Sequence, residues 1–246
     1  MAMKKHNNKR FIAYSDNKDC AKIKKTRNVL LGLSIVMFIL AYFLLASPNT
    51  NKLTKLQEQV SPSVSLYSSP KSLKDKFPLI DDNNNKITLS EVSKNKWTML
   101  YFGYASCPDV CPIDLSILNQ TLTLMKLADK LQVVFISVDP KRDIGRLSDF
   151  TQHFNKKFIG LSAKKEVLNK ITKALGVYHE VVQTKQRSTK DHSNHKSINM
   201  NNHYLINRTT SYLLLDPSLK LTGLLTNPHH AKKIAVALDI IIETLD

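Results

Sequence analysis

A strand-like segment that leads directly into two cysteines and then into a helix constrains the fold of this 246-residue chain most strongly. Residues 97–102 are mostly apolar and aromatic and are followed by Gly103, a pattern typical of a buried strand. Cys107 and Cys111 come next, and Pro112 suits the first position of a helix. After them, apolar residues recur at helical spacing: Leu115, Leu118, Leu122 and Met125. The cysteine pair is therefore predicted to lie on a strand-to-helix turn.

The position of this pair predicts a chemical function. The free N–H groups and the positive dipole end of a helix N-terminus favour thiolate over thiol. Two thiolates one helical turn apart can form a disulfide or bind a soft ion such as Cu(I) together. A purely structural disulfide is the alternative, but a bridge across three residues constrains the unfolded chain little.

The charge of the chain does not indicate a nucleic-acid partner. The formal net charge is +16, and many of the basic residues lie near the N-terminus. The others are scattered, without the signature of a known nucleic-acid-binding module. Positive charge alone speaks to solubility and non-specific attraction.

Residues 29–46 are predicted to form a single transmembrane helix. They carry no charge, and their length just suffices to cross a bilayer core. Residues 1–28 form a basic tail, which the positive-inside rule places in the cytoplasm, with Cys20 as an incidental thiol there. A cleaved signal peptide is the competing interpretation, although the apolar run is long for one. Residues 47–74 are predicted to be a linker, because they contain few periodic apolar positions.

Residues 75–246 are predicted to be one α/β domain. The expected elements are a hairpin over 77–89, strands at 97–104, 132–138 and 158–159, helices at 146–154 and 164–175, a polar loop over 183–202, a strand pair at 211–215 and 219–224, and a closing helix over 230–245. Gly176 is expected to cap the 164–175 helix. Alternating strands and helices predict a sheet covered on both faces. A cysteine pair at the first strand-to-helix turn of such a sheet is a thioredoxin-like arrangement.

Three segments together resemble the SCO/SenC family: residues 101–104, 107–112 and 137–143. The resemblance extends from about Phe77 to the last residue and fits the predicted anchor as well. It implies a membrane-tethered, thioredoxin-like metallochaperone that binds copper as Cu(I), Cu(II) or both. Its implied partner is the copper-centre subunit of cytochrome c oxidase, to which it delivers copper or whose thiols it maintains, with a thiol reductase as a further partner.

The resemblance also implies a location and a ligand set. The location is the bacterial inner membrane, with a cytoplasmic N-terminus and a periplasmic domain, or the mitochondrial inner membrane, facing the intermembrane space. Family members bind the metal through the two motif cysteines, here Cys107 and Cys111, and one later histidine. Counting back from Pro217 places Arg208 at the histidine position. Arginine is not a metal ligand, because it keeps its proton.

A nearby histidine is therefore needed if the site is to have three ligands. His203 is the candidate replacement, and His192 and His195 are interpreted as solvated loop residues. His229 and His230 are expected to open the last helix. His153 and His179 are expected to be surface or packing residues.

Arg208 also favours a second function, a thiol–disulfide oxidoreductase that uses Cys107 and Cys111 without metal. A fixed cation beside a cysteine lowers its pKa and favours thiolate attack. The same cation is compatible with a two-sulfur Cu(I) site. A peroxidase is disfavoured, because Tyr104, Ala105 and Ser106 stand where a threonine is expected.

The acidic residues of the motifs carry weaker predictions. Asp143 is expected to cap the next helix. Asp139 either supports the cysteine loop or docks a partner, or it only terminates a strand. Asp109 is expected to be a turn residue.

Overall fold

The computed structural model describes residues 16–45, 48–73, 77–183 and 204–246, with side chains for 27–42, 52–73, 77–182 and 204–246. The helices of these residues are α1 (Asp16–Leu45), α2 (Pro48–Val60), α3 (Leu89–Ser93), α4 (Val110–Leu124), α5 (Pro140–Asp143), α6 (Leu147–Phe154), α7 (Lys165–Leu175) and α8 (Ala231–Leu245). The strands are β1 (Ser65–Ser72), β2 (Leu79–Ile80), β3 (Lys86–Ile87), β4 (Trp97–Gly103), β5 (Leu131–Ser137), β6 (Ile159–Leu161), β7 (His179–Gln183), β8 (Tyr204–Arg208), β9 (Tyr212–Leu215) and β10 (Lys220–Leu225).

A six-stranded mixed sheet in the order β1-β10-β9-β4-β5-β6 organises the second of two units, Leu53–Asp246. Strand β4 runs parallel to β5 and antiparallel to β9, and β5 runs parallel to β6. All seven residues of β4 are buried, as expected for a strand covered on both faces. Helices α3 and α4 flank β4 in sequence, and the carboxyl ends of β4 and β5 meet at one edge of the sheet.

The two faces of the sheet have separate apolar cores. Met99, Tyr101 and Phe135 belong to the core that includes residues of α4 and α8. Leu100 and Phe102 belong to the other, together with residues of α7 and both motif cysteines. Because successive strand residues point to opposite faces, β4 contributes to both cores.

The first unit, Met1–Lys52, contains helix α1. Among the residues that the structure describes, no helix combines the length and the hydropathy that a bilayer span requires.

Most of the predicted elements of residues 75–246 are confirmed. Residues 77–89 contain the β2–β3 hairpin, and the predicted strand pair forms β9 and β10. Helix α7 ends at Gly176, whose left-handed backbone (φ 69°) is the expected cap.

Within the segment predicted as a linker, the described residues 48–73 are structured instead. Residues 47–74 contain α2 and β1, and β1 pairs with β10 at the edge of the sheet. Leu56, Val60 and Val64 are buried in the core. Leu56 and Val60 lie four residues apart, on one face of α2, and so form an apolar stripe too short to stand out in the polar composition. The compact unit accordingly begins at Leu53 rather than at residue 75.

A hairpin formed by β7 and β8 was not predicted. It pairs His179 with Arg208 and Gln183 with Tyr204. The loop predicted over 183–202 lies outside the described residues, except for Gln183 at the end of β7.

Candidate metal and thiol site

The two cysteines lie at the carboxyl end of β4, where the chain turns into α4. The N-cap of α4 is Asp109, so Cys111 is the second helical residue and Pro112 the third, not the first. The expected stabilisation of a thiolate still applies, because the first four N–H groups of a helix lack an intrahelical partner. One of these orphan groups, the N–H of Cys111, lies 3.4 Å from Cys107 Sγ and donates to it.

The two sulfurs differ in access and in proton affinity. Both cysteines are free; Cys111 is fully buried and Cys107 keeps 9% of its surface. The Cys111 thiol and N–H donate to Cys107, and with the Arg208 charge they lower the pKa of Cys107 to about 5, although burial opposes this. Burial and the same thiol hydrogen bond raise the pKa of Cys111. The pair therefore shares one proton, with the thiolate on the more accessible sulfur.

Arg208 lies directly against the buried sulfur. Its Nη2 is 2.8 Å from Cys111 Sγ and 2.6 Å from the Tyr101 hydroxyl. The residue at the predicted family histidine position is thus brought to the cysteines, but it presents a cation and not an imidazole. A guanidinium has donors and no acceptor, so it stabilises a thiolate and cannot bind a metal ion.

Tyr101 and Asp114 form a buried polar support beneath Arg208. The Tyr101 hydroxyl donates to Asp114 Oδ2 at 2.7 Å, and the Tyr212 hydroxyl donates to the Asp114 carbonyl oxygen at 3.0 Å. Burial raises the pKa of Asp114, and the hydroxyl hydrogen bond partly offsets that effect. Sequence reasoning missed both side chains. The signal for Asp114 was available: it lies three residues after Cys111, beside the apolar face of α4.

Gly103 gives the cysteine helix room to approach the sheet. A Cβ at this position would lie 2.4 Å from a ring carbon of Phe135 and 3.1 Å from Cys111 Sγ. A larger residue would therefore displace the Phe135 ring or the buried sulfur.

A polar cluster ties β8 to the loop after β5. The Arg142 guanidinium stacks 3.6 Å above the Tyr204 ring, forms an ion pair with Asp139 and donates to the Tyr204 carbonyl oxygen at 3.0 Å. The Tyr204 hydroxyl donates to Asp139 Oδ1 at 2.7 Å. We call Asp139, Arg142 and Tyr204 the β8 clamp. A further bond runs from the Ile206 N–H to the Tyr104 hydroxyl (3.3 Å), so the strand that carries Arg208 is held at both points.

Asp143 does not cap the next helix, contrary to the sequence-based expectation. Its Oδ2 accepts from the Ala105 N–H and from Ser137 Oγ, both at 2.6 Å, and so supports the turn before Cys107. Asp82 caps α6 instead, accepting from the N–H groups of Gly145, Leu147 and Ser148. The sequence could not show this, because Asp82 lies more than sixty residues before the helix that it caps.

No third metal-binding side chain joins the cysteines among the described residues, where no group of three or more His, Cys, Asp and Glu side chains could hold a metal ion. His203, His192 and His195 lie outside those residues. His230 is the N-cap residue of α8, and the adjacent His229 stacks on Tyr212 at 3.8 Å. Asp109 is exposed in the turn, while His153 is exposed and His179 half-buried.

The chain is similar to a known protein family and to several of its named members. The SCO1/SenC family model matches residues 66–243. A SCO2-like protein of Rickettsia conorii is 28% identical over 190 residues, covering 75% of this chain and 86% of that protein. Protein sco1 of Schizosaccharomyces pombe is 26% identical, covering 79% of this chain and 68% of that protein.

Solved structures show the same fold. Arabidopsis thaliana ScoI with copper bound has a TM-score of 0.58 at 24% identity and covers 70% of this chain and 99% of that one. Bradyrhizobium japonicum ScoI with copper bound has a TM-score of 0.54 at 28% identity and covers 68% and 98%. The domain therefore has the α/β, thioredoxin-like Sco fold, and since the family model spans most of its length, the chain belongs to the SCO1/SenC family.

Proposed function

We propose that this protein binds copper as cargo through Cys107 and Cys111 and assists the assembly of the binuclear copper centre of cytochrome c oxidase. The observation that carries the proposal is the contact between Cys107 and Cys111 at the N-terminus of α4, where the Cys111 N–H donates to Cys107 Sγ. It occurs in a chain that is 28% identical to a ScoI protein solved with copper bound.

The two sulfurs fit a soft monovalent ion. Thiolates are preferred ligands of Cu(I), which tolerates few ligands. Cys107 already favours its charged form, and the buried Cys111 would release its proton when it binds metal. Asp143 supports the turn before Cys107, and α4 holds Cys111, so the two sulfurs are kept on one turn.

A competition titration tests this proposal. The reduced full-length chain, with Cys20 replaced by serine, is titrated with Cu(I) against a chelator. We expect one retained Cu(I) per chain, and loss of that retention in the Cys107→Ser, Cys111→Ser variant. Retention that survives the double substitution, or no retention in the parent chain, contradicts the proposal.

His203 remains the candidate third ligand. It directly precedes Tyr204, the first residue of β8, and Tyr204 belongs to the β8 clamp. If His203 is a ligand, His203→Ala weakens Cu(I) binding by at least about tenfold, while His195→Ala leaves it unchanged. Equal affinities for the parent chain and His203→Ala would remove His203 from the ligand set.

We also propose that residues 29–46 anchor the domain to the membrane, with residues 1–28 in the cytoplasm and the domain on the opposite side. The run is uncharged, and its described side chains from Val29 to Tyr42 are exposed, Phe38 at 80%. Apolar side chains exposed along a whole helix suit a lipid environment. Extraction of the full chain from membranes by alkaline carbonate, without detergent, would contradict an integral anchor.

Thiol–disulfide exchange is the second candidate function, and the contact between Arg208 and Cys111 favours it. The Cys107 thiolate would attack a partner disulfide, forming a mixed disulfide and releasing one partner thiolate. Cys111 would then attack Cys107 Sγ, breaking the mixed disulfide and releasing the second partner sulfur, and its proton would pass to one of the two released sulfurs. The partner disulfide gains two electrons and becomes one thiol and one thiolate, and Cys107 and Cys111 lose two electrons and form a disulfide. An oxidised domain that exchanges with no thiol pool would exclude this function.

A further inference from the structure

We propose that Arg208 makes this site selective for monovalent over divalent soft cations: it admits Cu(I) and rejects Cu(II). The inference rests on the proposed copper-binding function. It assigns the selectivity to a fixed positive charge that is in contact with one of the two ligand atoms.

The charge cannot be neutralised or easily moved. Arginine stays protonated in proteins, so the guanidinium carries its charge under all relevant conditions. It donates hydrogen bonds to Cys111 Sγ at 2.8 Å, to the Tyr101 hydroxyl at 2.6 Å and to the Thr209 carbonyl oxygen at 3.4 Å, and it lies 4.9 Å from the centre of the Tyr101 ring. Tyr101 is itself buried and fixed by Asp114.

The backbone of Arg208 is also held in place. It pairs with His179 across the β7–β8 hairpin. The β8 clamp holds the start of the strand, and the Tyr104 hydroxyl accepts from the Ile206 N–H two residues before Arg208. An arriving cation therefore meets a positive charge that is attached to the fold and not a mobile surface side chain.

The charge count then discriminates between ions. Two thiolates and one guanidinium sum to a single negative charge, which a monovalent ion neutralises and a divalent ion overcompensates. Asp114, the nearby carboxyl, is one hydrogen bond further away, on the far side of the Tyr101 hydroxyl. The second unit of charge on a divalent ion is repelled by Arg208 at close range, which corresponds to on the order of 100-fold in affinity for a partly screened pair.

Redox-inert ions give a direct test, because Cu(II) oxidises thiols during a titration. The full-length chain in a Cys20→Ser background is reduced and titrated with Ag(I) and with Cd(II) in competition with a chelator. The quantity measured is the ratio of the two dissociation constants. Arg208→Gln and Arg208→Leu remove the charge, Arg208→Lys retains it, and Lys157→Gln removes one charge from a side chain 75% exposed to solvent.

We expect Arg208→Gln to improve Cd(II) binding by at least about 100-fold more than it improves Ag(I) binding. Arg208→Lys and Lys157→Gln should keep the ratio of the parent chain within about tenfold. Thermal unfolding identifies which variants fold, and Arg208→Leu supplies the test if the glutamine variant does not. An unchanged ratio in the charge-removing variant overturns the inference and leaves the copper-binding function intact. If neither ion binds to the parent chain or to any variant, the proposed function and the inference both fail.

Discussion

The two motif cysteines have the same side chain and opposite tendencies to ionise. Cys107 accepts hydrogen bonds and reaches the surface, whereas Cys111 is sealed beneath Arg208. We therefore expect the more accessible sulfur, that of Cys107, to be the first to meet a metal ion or a partner disulfide. The buried sulfur stays in contact with Arg208, which donates a hydrogen bond to it.

This asymmetry predicts the pH dependence of alkylation. In a Cys20→Ser background, iodoacetamide should modify Cys107 with a rate midpoint near pH 5, since its pKa is lowered to about 5. Arg208→Gln should move the midpoint upward, because the guanidinium charge helps to lower that pKa. Cys107→Ser is the control and should leave Cys111 nearly unreactive. A midpoint near 9, the ordinary cysteine value, would contradict the assigned thiolate.

The same pKa has a consequence for stability, and its sign follows from the direction of the shift. Because the folded-state pKa of Cys107 is lowered, its contribution is complete above the unfolded-state value of about 9 and is lost as pH falls toward 5. Cys111, whose pKa is raised, acts oppositely: its contribution is lost as pH rises above about 9.

Gly103 gives a prediction about packing. Gly103→Ala should lower the free energy of unfolding by about 1–3 kcal/mol, because the new Cβ collides with Phe135 and crowds Cys111. Gly32→Ala, in α1, has open space and serves as the matched control in a thermal or denaturant unfolding series. Equal stability of the Gly103→Ala variant and the parent chain would contradict the close packing of Gly103 against Phe135 and Cys111.

At the scale of elements, the β7–β8 hairpin positions Arg208 against Cys111. It joins the rest of the site through the β8 clamp and through the Tyr104 hydroxyl, and it carries Arg208 at its far end. A substitution that weakens the β8 clamp should therefore change the pKa of Cys107, although it alters no residue in contact with that sulfur.

Tyr204→Phe tests that link. The substitution removes the hydroxyl bond to Asp139 and keeps the ring under Arg142, so the expected cost is about 1 kcal/mol. We expect faster hydrogen exchange at the Ile206 amide and a higher midpoint for Cys107 alkylation, as Arg208 is held less firmly. Tyr178→Phe is the control, because this exposed hydroxyl contacts Glu180 of the same hairpin. Identical exchange rates in the two variants would contradict the positioning role of the clamp.

Helix α6 depends on a cap from a distant loop. Asp82→Ala should cost about 1 kcal/mol, whereas Asp82→Asn should retain most of the stability. Burial raises the pKa of Asp82. The hydrogen bonds from the Ser148, Leu147 and Gly145 N–H groups together lower it by more, so the pKa lies below its ordinary value. The cap therefore contributes fully above the ordinary value of 3.8 and is lost as pH falls below it. Equal acid sensitivity of the parent chain and Asp82→Ala would exclude this contribution.

At the scale of the whole molecule, the folded unit begins well before the motif region. Leu56, Val60 and Val64 enter the core, and β1 completes one edge of the sheet. A fragment of residues 53–246 should therefore unfold cooperatively, and a fragment of residues 75–246 should lose several kcal/mol through its missing apolar burial. Circular dichroism melts of the two fragments compare their midpoints, and we expect the lower midpoint for residues 75–246. Equal midpoints would support the composition-based boundary at residue 75.

The central sheet could be predicted from the sequence and its periphery could not. Strands β4 and β5 are long apolar runs, and Gly176 marks the end of α7. Local sequence patterns are therefore enough to predict these elements. The β7–β8 hairpin and α2 are polar segments whose strand and helix form through contacts made elsewhere in the chain.

The site divides along the same line. The cysteine motif predicts Cys107 and Cys111, and counting back from Pro217 to the family histidine position predicts Arg208. The Tyr101–Asp114 support, the β8 clamp, the bond from Ala105 to Asp143 and the cap that Asp82 provides depend on contacts between residues distant in sequence. Local spacing does not show such contacts.

X-ray absorption at the copper edge of the Cu(I)-loaded, reduced chain tests the central claim most directly. The account predicts two sulfur neighbours around copper, both absent in the Cys107→Ser, Cys111→Ser variant. A copper ion surrounded only by nitrogen and oxygen neighbours would contradict it.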